Sequence, residues 1–171
     1  RGKVPRPTFD AVAAAVPALC ALVHTASDGD TEVTTDAAWA LSYLTDGSNS
    51  RIQKTLDAMG GTETVLAQMV ALLRDESTPN PILTPTMRTL GNVATGNEQQ
   101  TQAVLDAGVL PALAKLLTPG TAASLAKEAA WTLSNITAGS EDQIQAVLDA
   151  GLIDVAITAL DANVFDSKVQ K

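Results

Sequence analysis

The nine residues QTQAVLDAG at 100–108 return as QIQAVLDAG at 143–151, 43 positions later, and RIQKTLDAMG at 51–60 is an earlier copy with one extra residue. A fixed period of this length constrains the fold more than any other feature of the chain, because it demands one supersecondary unit used several times. Each copy precedes an apolar helical segment: VLAQMVALL (65–73), VLPALAKLL (109–117) and LIDVAITAL (152–160). VPALCALV (16–23) is the same element upstream. After each comes a turn-prone stretch and a longer helical pattern: DAAWALSYLTDG, TPTMRTLGNVATG and KEAAWTLSNITAG. There Trp39, Arg88 and Trp131 align at spacings of 49 and 43, so the unit is three helices in roughly 43 residues.

Punctuation supports this division. Gly60, Gly108 and Gly151 stand where the first helix of a unit ends, a place that favours left-handed backbone. Gly47, Gly96 and Gly139 likewise close the third helix. Pro79, Pro81 and Pro119 mark the turns before it, and Thr84–Pro85 reads as N-cap and first turn of the middle copy. A helical period of about 40 to 47 residues is that of an armadillo or HEAT solenoid, in which each repeat buries its apolar face only against its neighbours. We expect an all-α, right-handed superhelical solenoid of armadillo repeats, three helices each: an incomplete repeat at 9–47, two at 49–96 and 98–139, and one at 141–171 that stops inside its third helix. The expectation is a fragment of a longer array.

Only 3% of residues are aromatic against 46% apolar overall, so Ala, Leu and Val must fill the interior, which suits closely packed helices. The formal net charge of −8 argues against nucleic acid as a partner and favours a basic one. The most apolar run, residues 11–23, is too short to span a bilayer and contains Pro17. With no signal peptide evident and one cysteine, Cys20, an intracellular, reducing location without membrane contact is expected.

On the third helix, positions −3, 0, +4 and +7 from the aligned residue share one stripe. They are Asp36, Trp39, Tyr43 and Asp46; Pro85, Arg88, Asn92 and Thr95; Glu128, Trp131, Asn135 and Ala138. Leu41, Leu44, Leu90, Val93, Leu133 and Ile136 occupy the core positions, and +3 is always small: Ser42, Gly91 and Ser134. A lone Trp usually packs in a core. Here both tryptophans recur in one register, opposite the aliphatic stripe and beside polar groups that burial would desolvate. Such an array suits an extended peptide. Asn amides pair with peptide N–H and C=O, small +3 residues admit the backbone, and indoles pack along Lys or Arg stems. Asp36 and Glu128 are expected to meet the charged ends. Arg88 has two compatible readings: an ion pair with Glu128, and a charge that repels cations at mid-groove.

WALSYLTDG (39–47), RTLGNVATG (88–96), EQQTQAVLDAG (98–108) and KEAAWTLSNITAGSEDQIQ (127–145) resemble the importin-alpha (karyopherin-alpha) family of nuclear import adaptors. The resemblance implies a concave groove that binds the basic nuclear localisation signals of cargo proteins in a major and a minor site, and a protein that shuttles between cytoplasm and nucleus. By it, Asp36, Trp39 and Tyr43 lie at the end of the major site, while Arg88, Asn92, Thr95, Glu98, Thr101, Glu128, Trp131 and Asn135 match minor-site positions. The family recruits importin-beta through a basic leading segment that RGKVPRP does not resemble. A catenin-like scaffold for acidic tails is the alternative. No enzyme is expected: Cys20 and His24 are four apart on one helix without an orienting third group, and no phosphate loop, cofactor motif or metal-ligand cluster appears.

Overall fold

The computed structural model describes residues 7–24, 30–162 and 164. Helices follow one another with short joints: α1 (Phe9–Val12), a 3-10 turn (Ala13–Ala15), α2 (Val16–His24), α3 (Thr31–Thr45), α4 (Asn49–Ala58), α5 (Thr62–Arg74), α6 (Asn80–Ala94), α7 (Glu98–Asp106), α8 (Val109–Leu116), α9 (Ala123–Ile136), α10 (Glu141–Asp149) and α11 (Leu152–Asp161). No strand occurs among the described residues, and the chain is an all-α repeat solenoid. The expected last third helix at 166–171 and the segment RGKVPR lie outside the described residues.

Each short helix α4, α7 and α10 starts on a polar cap. Ser48 accepts from the Arg51 amide, and Asn97 and Ser140 form reciprocal capping boxes with Gln100 and Gln143. Gly108 (φ 80°) and Gly151 (φ 67°) make the left-handed joints into α8 and α11, a conformation other residues adopt at a cost. Gly96 and Gly139 do not follow this rule, since neither has positive φ. A Cβ there would collide with the folded-back side chain of Gln100 or Gln143, so their smallness serves the next helix's cap.

The most extensive inter-helix contacts join α3 to α6 and α6 to α9, which lie side by side as a continuous layer. All three begin eight residues before the aligned position, at Thr31, Asn80 and Ala123. That corrects the expected start of α6: Pro79 is its N-cap, Pro81 lies in its first turn, and Pro85 is buried in its interior. The extra turn persists because it carries Ile82 into the core at 0% exposure, and burial of an Ile is worth about 1.5–3 kcal/mol. Pro85 forgoes one helical hydrogen bond in return.

Leu41, Leu90, Val93, Leu133 and Ile136 face the interior with Ile52, Leu56, Leu66, Leu113 and Leu152, while Leu44 is partly buried against this core. Buried Ala37, Ala38, Ala126 and Ala129 keep the third helices close.

Two buried glutamines tie successive first helices together. Gln100 Nε2 donates to the Asn49 carbonyl (3.0 Å) and Gln53 Oε1 (3.3 Å), while Gln143 Nε2 donates to the Glu98 carbonyl (3.0 Å) and Gln102 Oε1 (3.3 Å). Each amide therefore caps its own helix with oxygen and grips the preceding unit with nitrogen.

Candidate functional site

Third helices aim their polar stripe at one side. Trp39 and Tyr43 of α3, Arg88 and Asn92 of α6 and Trp131 of α9 line one concavity of about 520 Å³, together with Ser42 and Asp46. Both indoles are half-buried. Trp39 stacks on Tyr43 with centroids 5.9 Å apart and planes inclined by 26°, so the pair forms a single apolar wall. Opposite it, the Arg88 guanidinium lies over the Trp131 ring, 5.1 Å from the centroid. Arg88 Nη2 also donates to Glu128 Oε1, which is the ion pair the spacing suggested. Its Nε is buried without a partner.

A second concavity of about 440 Å³ opens further along the same helices. It is lined by Thr95, Glu98, Thr101 and Asn135, with Gly96, Gly139 and Gln143 at its edge. The expected residues thus fall into two neighbouring hollows. Asp36 is exposed on α3 and lines neither of them, and neither does Glu128. A larger hollow of about 790 Å³ lies among the α5–α6 and α8–α9 loops, away from both tryptophans.

Several polar groups expected to be open are already engaged. Asn92 is buried, and its Nδ2 donates to the Ser42 carbonyl (2.7 Å) and Thr45 Oγ1 (3.2 Å); Asn135 Nδ2 donates to the Gly91 carbonyl (3.3 Å). Both asparagines therefore clasp the backbone of the preceding third helix, at its +3 residue. Among the described residues, no hydrogen bond ends on either Oδ1, so both amides keep an acceptor, while Asn92 has spent both N–H donors and Asn135 one of its two. Glu128 is buried against Arg88, and the buried Thr101 hydroxyl donates to the Ala94 and Asn97 carbonyls at 3.2 Å each. Asn92, Asn135 and Thr101 share a physical cause, since helices close enough to share a core also bring neighbouring backbone within hydrogen-bond reach, whereas Glu128 is taken by a side chain.

The small +3 residues have a corresponding reason. A Cβ on Gly91 would lie 2.6 Å from Trp131 Cζ3 and 2.7 Å from Thr132 Oγ1, so this position makes room for α9 and its indole rather than for a ligand backbone. Sequence reasoning also missed the glutamine clasps. Their signal is the capping-box spacing, Asn97 to Gln100 and Ser140 to Gln143, repeated at the 43-residue period.

Elsewhere, Cys20 is buried and burial pushes its thiol up to about 11, so it carries little thiolate at neutral pH; His24, one turn on, is exposed. Among the described residues, no group of three His, Cys, Asp or Glu side chains is placed to hold a metal ion, and no single helix is long and apolar enough to cross a membrane.

A family model described as Armadillo/beta-catenin-like repeat matches residues 6–46 and 97–138. The chain is 47% identical over 132 residues to importin subunit alpha-1a of Oryza sativa subsp. japonica, covering 77% of this chain and 23% of that protein. It is 46% identical over 131 residues to importin subunit alpha-3 of Arabidopsis thaliana, again covering 77% and 23%. The chain thus spans about a quarter of the length of these relatives. Among solved structures, a designed armadillo repeat protein in complex with peptide (KR)4 superposes with a TM-score of 0.69 at 33% identity, over 88% of this chain and 58% of that one. An engineered protein superposes with a TM-score of 0.72 at 35% identity, over 91% and 57%.

Proposed function

We propose that this chain, which belongs to the importin-alpha family of armadillo-repeat proteins, forms part of the groove with which a nuclear import adaptor holds basic localisation signals of its cargo. The observation that carries this reading is the shared hollow: Trp39 and Trp131, on helices 92 positions apart in sequence register, line the same concavity in a chain of net charge −8.

Indole and phenol faces pack along the methylenes of lysine or arginine and attract the cationic end, for about 0.5–2 kcal/mol per favourable contact. The open Oδ1 atoms of Asn92 and Asn135 accept from ligand backbone N–H groups, independently of the side chains they carry. Helix axes about 8–10 Å apart put successive asparagines within two or three residues of an extended strand at about 3.3 Å each. The exposed carboxylates of Asp36 and Glu98 supply the charge that selects basic ligands, and Thr95 and Thr101 line the hollow beside Glu98. Binding is the whole activity, with no catalytic step, and the adaptor works between cytoplasm and nucleus with importin-beta as a further partner.

Fluorescence anisotropy with a labelled (Lys-Arg)4 peptide across a salt series tests the reading. Trp39→Ala with Trp131→Ala is expected to abolish most of the affinity, and loss with rising salt is expected for the unaltered chain. Equal affinity of the two proteins would defeat it. The presence of Arg88 in the hollow gives a second reading, a scaffold for acidic tails, which an acidic peptide that outcompetes the basic one would support.

A further inference from the structure

A slot for a ligand cation needs an aromatic face and a carboxylate. Trp131, which lines the larger groove hollow, and Glu128, which pairs with the Arg88 that lines it, supply both, and both are occupied by the chain itself. The guanidinium of Arg88 stands 5.1 Å from the centroid of Trp131 and donates to Glu128, whose side chain is only 12% exposed. Arg88 occupies the register that holds Trp39 in α3 and Trp131 in α9, so one tryptophan-to-arginine difference places a cation on the neighbouring indole. Among the described residues, this is the one cation that lies over an indole.

We infer that Arg88 is a built-in stand-in for a ligand's lysine or arginine, which closes the Trp131–Glu128 slot until it is displaced and so lowers the affinity of the groove for basic peptides. The inference rests on the reading of this groove as a basic-peptide site. Displacement is feasible because the stand-in is incompletely satisfied. Its Nε is buried without a partner, one of its five N–H donors reaches a carboxylate, and its side chain is 35% exposed, so a swing outward returns unpaired donors to water. An incoming basic side chain then takes over both contacts. A purely structural ion pair makes the opposite prediction, because its loss would loosen α6 against α9 and weaken binding.

The test is a cycle on the complete 171-residue chain, read by anisotropy of the labelled (Lys-Arg)4 peptide: unaltered, Arg88→Gln, Trp131→Ala and both together. Arg88→Gln is expected to tighten binding roughly three- to tenfold, as one recovered cation–π contact implies. In the Trp131→Ala background the gain is expected to fall below about twofold, since the face that Arg88 vacates is gone. A gain of the same size in both backgrounds, shrinking with salt, would reduce Arg88 to a through-space charge and overturn the inference. Weaker or unchanged binding of Arg88→Gln would also overturn it. Should Arg88→Gln fail to fold with Glu128 left unpaired, Arg88→Gln with Glu128→Gln is compared with Glu128→Gln alone; tighter binding by the double variant supports the stand-in, and equal or weaker binding overturns it. Failure of the groove reading is separable, because the Trp39→Ala, Trp131→Ala protein would then bind as the unaltered chain does.

Discussion

Replacing Gly91 with alanine sets two effects against each other. Gly91 lies inside α6 and does not have positive φ, so alanine gains about 1 kcal/mol of helix propensity there. Against that, the new Cβ would stand 2.6 and 2.8 Å from Cζ3 and Cε3 of Trp131 and 2.7 Å from Thr132 Oγ1, about 1 Å inside ordinary carbon contact. The indole is half-buried and has some room to slide. Thr132 has none: it is fully buried and its hydroxyl donates to the Glu128 carbonyl at 2.9 Å. Overpacking of this kind costs about 1–3 kcal/mol, and pushing α9 away also lengthens the bond from Asn135 to the Gly91 carbonyl, worth about 1 kcal/mol. The balance is a net loss of about 1–3 kcal/mol, or a melting temperature lower by roughly 3–9 °C in a chain of this size. Thermal unfolding followed by circular dichroism measures it. Tryptophan emission should shift as well, because Trp131 is the group displaced. A Gly91→Ala protein that melts higher than its parent, by the propensity gain, would show that α6 and α9 are not packed as tightly as this reasoning requires.

Gly108→Ala should cost a similar amount by a different route: no atom lies within 4 Å of the added Cβ, so the expected loss of about 1–2 kcal/mol is backbone strain at φ 80°, with tryptophan emission unchanged. Gln143→Ala removes the cap on the Ser140 amide and the tie from α10 to the Glu98 carbonyl of α7, and a loss of about 2 kcal/mol should appear as a lower denaturant midpoint. Cys20 should react slowly with a thiol reagent at pH 8 until the chain is unfolded. Its thiol keeps its proton in the folded state after the unfolded one has lost it, so stability should fall as pH rises from about 9 to about 11; a Cys20→Ala protein should lack that part of the pH dependence.

The order of helices, the joints at Gly108 and Gly151 and the face that carries Trp39, Arg88 and Trp131 were legible in the residues, because each depends on local rules; the start of α6 at Asn80 was not, since Thr84–Pro85 imitates a cap and first turn inside the helix. A 43-residue echo repeats one unit, left-handed joints select Gly108 and Gly151, and a 3.6-residue turn keeps positions 0 and +4 together. Tertiary structure decided which polar groups on that face remain open to a ligand. Asn92 reads as a groove amide until α3 is seen to bring the Ser42 carbonyl to it, Gly91 reads as ligand space until the Trp131 ring is found beside it, and Asn135 reads as a second groove amide until α6 offers it the Gly91 carbonyl. Periodicity specifies the direction in which a side chain leaves its own helix. The distance to the next helix comes from how both pack into a shared core, and over the 3 Å reach of a hydrogen bond that distance determines whether an amide or carboxylate is available or already spent.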